Sequence, residues 1–102
     1  MLERGANING SLFQNPLEAA AGHGHISIVR YLIDNGADIN GGHCRTPLEA
    51  AAKHGYTSIV RYLVDNGADI NGYLFQNPLE AAAGHGHISI VRYLTDNGAD
   101  IN

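Results

Sequence analysis

The chain reads as an all-helical solenoid of stacked helix-turn-helix units with short hairpin-like connections, and three observations predict it. The first is self-similarity: Pro16, Pro47 and Pro78 stand 31 residues apart, as do Gly5, Gly36, Gly67 and Gly98. A fixed period of this length marks a repeat architecture. The second is that each period holds two short segments of helical pattern separated by glycine. The third is that neither segment is long enough to stand alone, because isolated helices shorter than about 12–15 residues are marginal in water. Stability therefore has to come from stacking one unit on the next.

Residues 10–40, 41–71 and 72–102 form three full units, and residues 1–9 match the closing phase of a preceding one, giving a single domain over 1–102. Units one and three are identical at 29 of 31 positions, differing at Ser11/Tyr73 and Ile33/Thr95, whereas unit two differs from unit one at nine. In unit two, Thr46-Pro47-Leu48-Glu49 supplies a hydroxyl N-cap, a proline at the first helical position and a glutamate three residues after the cap, the pattern of a capping box. Asn15 and Asn77 are equally good caps in the outer units. Leu-Glu-Ala-Ala-Ala carries the first helix on until Gly24, Gly55 or Gly86 stops it.

The second helix is predicted from about Ser27 to Asn35, with Ile28, Val29, Leu32 and Ile33 as its apolar stripe and Gly36 in the left-handed position that ends it. Arg30/Asp34, Arg61/Asp65 and Arg92/Asp96 are spaced for surface ion pairs worth about 0.3 kcal/mol each. The alanine runs at 19–21, 50–52 and 81–83 suit close approach of neighbouring helices, whose axes pack about 8–10 Å apart. Asn9-Gly10, Asn40-Gly41 and Asn71-Gly72 favour left-handed turn conformations between units.

Composition narrows the function. Six Lys/Arg against ten Asp/Glu give a net charge of −4, and the basic residues are scattered singly. Duplex nucleic acid needs a clustered basic patch, so it is not the expected partner. No apolar stretch approaches the roughly 20 residues of a bilayer span, and Met-Leu-Glu-Arg-Gly at the start has no apolar signal core. The lone thiol, Cys44, can form neither an internal disulfide nor a multi-cysteine zinc site, which fits a reducing, intracellular setting.

Catalytic readings find little support. Six histidines, including His23-Gly24-His25 and His85-Gly86-His87, invite a metal. Equivalent histidines, however, lie one repeat step apart, on the order of 10 Å, whereas two ligands of one zinc each sit about 2 Å from it. Glu18, Glu49 and Glu80 form a helical ladder with no nucleophile between them and are assigned to capping. Cys44 adjoins His43 in sequence, which does not place thiol and imidazole in contact. Gly42 stands where a phosphate loop from Gly36 would need its lysine. No cofactor and no catalysis are expected.

Thr46-Pro47-Leu48, Ala51-Ala52, Gly24-His25, Ile28-Val29 and the run Gly-Ala-Asp-Ile-Asn from Gly36 to Asn40 resemble the ankyrin repeat over the whole chain. The resemblance implies two antiparallel helices and a projecting hairpin per unit, stacked into a curved solenoid that binds a protein without catalysis. Three departures stand out. The unit of 31 residues is shorter than the usual length of roughly 33, with the loss between Asn40 and Thr46. Glu18, Glu49 and Glu80 replace the usual histidine, and Asn15 and Asn77 replace threonine.

In ankyrin repeats the hairpin tips and first helices line a concave partner face. Carried onto matching positions, the resemblance implies contact through Gln14, Arg45 and Gln76, then His23, Lys53, His54 and His85 with Gly22 and Gly84, and Asn35, Asn66 and Asn97 completing the row. The finger residues Leu12, Phe13, His43, Cys44, Tyr73, Leu74 and Phe75 join this face. Phe13 and Phe75 have two readings, as exposed contacts or as covers folded over neighbouring helices. Asn40 and Asn71 resemble the asparagines that asparaginyl hydroxylases modify in such repeats. The near-identity of units, with ends lacking polar caps, also predicts head-to-tail self-association into columns.

Overall fold

The computed structural model describes residues 8–10, 15–41, 45–72 and 77–101. Six α-helices follow in order among them: α1 (Pro16–Gly22), α2 (Ile26–Asp34), α3 (Pro47–His54), α4 (Thr57–Asp65), α5 (Pro78–Gly84) and α6 (Ile88–Asp96). No strand occurs among the described residues. Each helix pair is antiparallel and the pairs stack into a body of 43 × 24 × 21 Å. The helices form two layers: α1, α3 and α5 pack closely side by side, whereas α2, α4 and α6 touch one another only lightly.

Side-chain size explains the difference between the layers. Ala21, Ala51, Ala52 and Ala82 are fully buried between inner helices, and a methyl group is all that such spacing admits. Leu17 and Leu48, with Val29, Leu32, Ile59, Val60, Leu63, Ile90 and Leu94 from the outer helices, complete one continuous core.

The caps form as predicted on the donor side. Asn15 Oδ1 accepts from Glu18 N at 2.8 Å, Thr46 Oγ1 from Glu49 N at 3.1 Å, and Asn77 Oδ1 from Leu79 N at 2.7 Å and Glu80 N at 3.2 Å. The returning half of the capping box does not form, because the Glu49 carboxylate is held by Arg45 instead. The outer helices begin at Ile26 rather than Ser27 and end at Asp34. Asn35, Asn66 and Asn97 are C-caps whose side-chain amides donate to the Tyr31, Tyr62 and Tyr93 carbonyls at 2.8 Å. They close the last turn of each outer helix and remain exposed.

Two further expectations change. Arg30 and Arg61 do not pair with Asp34 and Asp65. Their guanidinium carbons lie 5.4 and 5.5 Å from the centroids of the Tyr62 and Tyr93 rings of the following unit, a cation–π contact across the stack. Ile28 does not belong to the buried stripe: it is 50% exposed, although the equivalent Ile59 and Ile90 are 2% and 1% exposed. The position faces the preceding unit, and unit one presents it outward.

The connections between units are tight turns. Gly41 N donates to Asp38 O at 2.9 Å and Gly72 N to Asp69 O at 3.2 Å, while Asp38 and Asp69 carboxylates accept from Asn40 N and Asn71 N. Gly10 and Gly72 take the predicted left-handed φ of 68° and 61°. Gly41 does not. Its turn closes without a left-handed residue, and a β-carbon there would meet Asn15 Nδ2 and the Asp38 carbonyl at 2.9 Å.

Candidate functional site

The inner helices run in register, so their C-terminal ends bring His23, His54 and His85 to one side of the molecule, all three exposed. His23 Nδ1 and His85 Nδ1 each bond the carbonyl four residues back, Ala19 O at 2.8 Å and Ala81 O at 3.0 Å. These rings are thereby fixed against their own helices. Only unit two adds charge here, through Lys53 in place of the glycine found in the other units. A β-carbon placed on Gly22 would lie 3.4 Å from Ala50 Cβ and 3.9 Å from His54 Cδ2, ordinary contact distances, so unit two lies directly against unit one at this point.

Partial desolvation, followed by Lys53, His85, Arg45 and His23, pushes the His54 imidazole below its ordinary value. All four neighbours are cationic or become so on protonation, and all are residues predicted for the partner face. Leu12, Phe13, Gln14, His43, Cys44, Tyr73, Leu74, Phe75 and Gln76 lie outside the described residues.

Arg45 differs from a free surface cation. Its Nε stands 2.9 Å from Glu49 Oε2, yet that oxygen is buried and accepts no directed hydrogen bond, so the pair is ionic and off-axis. Burial raises the Glu49 pKa; Arg45 and Lys53 oppose the rise, Glu18 adds to it, and His85 opposes it. Burial prevails, since taking a carboxylate out of water costs more than one misaligned cation returns.

Contacts between units form a second set that the sequence pattern alone did not reveal. Asn9, Asn40 and Asn71 each place Oδ1 on the backbone amide of the following unit's Asp38, Asp69 or Asp100, at 2.9, 2.8 and 3.0 Å. Asn40 and Asn71, the predicted hydroxylation candidates, are thus ties between units. The Tyr56 ring covers Gly24 and the His87 ring covers Gly55, where a β-carbon would meet ring atoms at 2.7 and 2.6 Å. His87 Nε2 also bonds Lys53 O at 3.0 Å. Tyr93 OH donates to Asp65 at 3.3 Å; desolvation first, then Asp65 by charge and by hydrogen bond, raise its pKa against the lowering effect of Arg61. The signal available in the sequence was the recurrence of Arg and Tyr at an offset one residue longer than the repeat.

Among the described residues, no three His, Cys, Asp or Glu side chains are grouped to hold a metal. None of their helices is long and apolar enough to cross a membrane. Stacked helix pairs tied by side-chain-to-backbone bonds at each repeat define a helical repeat protein. A family model described as ankyrin repeats matches residues 1–74 and 43–102 in three copies, and the chain belongs to that family. Ankyrin repeats are in general protein-interaction modules and typically not catalysts. No curated protein matches the chain.

Proposed function

We propose that the chain binds a protein partner, without catalysis, through the inner-helix face centred on His54, with Gln14, Gln76 and the finger residues extending it. The observation that carries this reading is the row of exposed histidines, His23, His54 and His85, at the C-terminal ends of the inner helices, with Lys53 beside His54 in unit two. Among the described residues Arg45 is held by Glu49 and Lys53 has no ion pair to a carboxylate, so the matching spot on the partner is acidic. Complementary charge at a rim acts mainly on association rate and specificity. The lone thiol Cys44 suits an intracellular setting for such a module. The test compares proteins captured by the chain with those captured by the Lys53→Glu, His54→Ala double variant, with helicity checked by circular dichroism. Specific partners are lost with the variant, and their capture by the parent chain weakens with salt; identical partners on both chains would overturn the reading.

A further inference from the structure

Asn-Gly occurs six times in the chain, at 9–10, 35–36, 40–41, 66–67, 71–72 and 97–98. Glycine has no β-carbon to shield its backbone nitrogen, so in this dipeptide that nitrogen can attack the side-chain carbonyl carbon of the asparagine before it. The fold divides the six into two sets. Asn35, Asn66 and Asn97 cap the outer helices, whereas Asn9, Asn40 and Asn71 tie one unit to the next. Asn40 is half-buried and the other five are exposed. Access to water therefore does not separate the sets.

Hydrogen bonding does. In the caps the engaged atom is Nδ2, which donates to the carbonyl four residues back and turns the amide along its own helix, away from the glycine ahead. Gly36 N, Gly67 N and Gly98 N donate to Ile33 O, Val64 O and Thr95 O at 3.0, 3.1 and 3.2 Å, and Ala37 N, Ala68 N and Ala99 N donate to the helix again at 2.9, 3.0 and 2.9 Å. Turning the glycine nitrogen onto the asparagine side chain means rotating the backbone between them, which would unseat Ala37 and Ala99, each 8% exposed. In the ties the engaged atom is Oδ1, which in Asn40 and Asn71 accepts the amide N–H of Asp69 or Asp100 at 2.8 and 3.0 Å. That is the oxygen on which negative charge collects when Cγ is attacked, and a placed N–H donor stabilises such charge. Gly41 N and Gly72 N are held by a turn bond to the residue three back, Asp38 O at 2.9 Å and Asp69 O at 3.2 Å.

We propose that Asn40 and Asn71 are sites of spontaneous deamidation in the folded chain, and that the reaction unties the units they join. Solvent base takes the proton from Gly41 N or Gly72 N, and the nitrogen attacks Cγ of the preceding asparagine. The N–Cγ bond forms, the Cγ–Nδ2 bond breaks, and the side-chain nitrogen leaves as ammonia with a proton from water. A second water opens the cyclic imide at either carbonyl, giving aspartate or isoaspartate with no change of oxidation state. Aspartate keeps an acceptor for the next unit's amide. Isoaspartate carries the backbone through the side-chain carbon, which lengthens the turn and withdraws that acceptor. The ties form one run, because the Asp38 and Asp69 carboxylates hold Asn40 N and Asn71 N at 3.0 and 3.1 Å between one tie and the next. A single isoaspartate at either site therefore interrupts the run that leads from Asn9 to Asp100.

The experiment ages the whole chain at mildly alkaline pH, folded as circular dichroism verifies, and in parallel in unfolding urea. Peptide mass spectrometry follows the amide-to-acid mass gain at each asparagine, with fragmentation that separates aspartate from isoaspartate. In urea Asn35, Asn40, Asn66, Asn71 and Asn97 share one dipeptide and are expected to react at similar rates. In the folded chain Asn40 and Asn71 are expected to react at least about tenfold faster than the three caps, a part of the roughly hundredfold that one placed oxyanion donor supplies in an enzyme. Hydrogen exchange then reads the consequence: the Asp69 amide exchanges several-fold faster in molecules carrying isoaspartate at position 40, and stays protected in the Asn40→Asp variant. Caps that react as fast as Asn40 and Asn71 in the folded chain overturn the assignment, and so do ties that react in urea alone. An Asp69 amide equally protected in the isoaspartyl molecules overturns the untying.

Discussion

Units two and three share the run Pro-Leu-Glu-Ala-Ala-Ala, but the stack gives its members different surroundings. Glu49 is buried and Glu80 exposed; Leu48 is fully buried and Leu79 only half-buried; Ala52 is fully buried and Ala83 open. Within the described structure unit two has neighbours on both sides and unit three on one. In a solenoid, the worth of a residue is set by how many joints it serves, because each unit contacts only its neighbours.

The largest break in that comparison comes from the leucines. Leu48→Ala is expected to cost about 3 kcal/mol and Leu79→Ala about 1.5 kcal/mol, since the second leaves a smaller cavity in a half-covered site. Urea unfolding at one fixed chain concentration measures both; equal losses would show that unit three is as enclosed as unit two. Overfilling sharpens the contrast next. Ala51→Leu, at a fully buried position, should cost about 2 kcal/mol, whereas Ala83→Leu on the open face should change stability by less than about 0.5 kcal/mol.

Glu49 offers a test by pH. A carboxyl whose pKa is raised in the folded chain binds its proton more tightly there than when unfolded. Its contribution is therefore full below the ordinary carboxylate range and is lost as pH rises through the folded value. Glu49→Gln should raise stability at pH 7 by about 1 kcal/mol, with the gain vanishing on acidification below that range, while Glu80→Gln does little at either pH. A loss on Glu49→Gln at pH 7 would mean that the Arg45 pair outweighs burial. The asparagine ties come last among the expected losses: Asn40→Ala removes the acceptor for Asp69 N and should cost about 0.5–1 kcal/mol. Slowed exchange of the Asp69 amide, retained in that variant, would show that another group replaces the side chain.

Legibility of the candidate face divides along the same line. His23, His54 and His85 were placed by period alone, because equal spacing on a stacked helix puts equivalent residues on one side. The engagement of Arg45 was not legible. Arg45 and Glu49 stand at helical spacing, yet the same glutamate was equally suited to closing a capping box, and only its burial between α1 and α5 selected the ion pair. Arg30 likewise had a carboxylate four residues away and took the Tyr62 ring instead. The tyrosine sits 32 residues along the chain, at a distance no local pattern reports.

By itself the sequence determined the repeat, the six helices, their caps and the close inner layer, because proline, cap residue, glycine and alanine act within a few residues of their own position. Tertiary structure alone decided which glutamate is buried, which isoleucine is uncovered and which partner each arginine takes. Those outcomes depend on the neighbouring unit in space, and nearly identical units differ in little else.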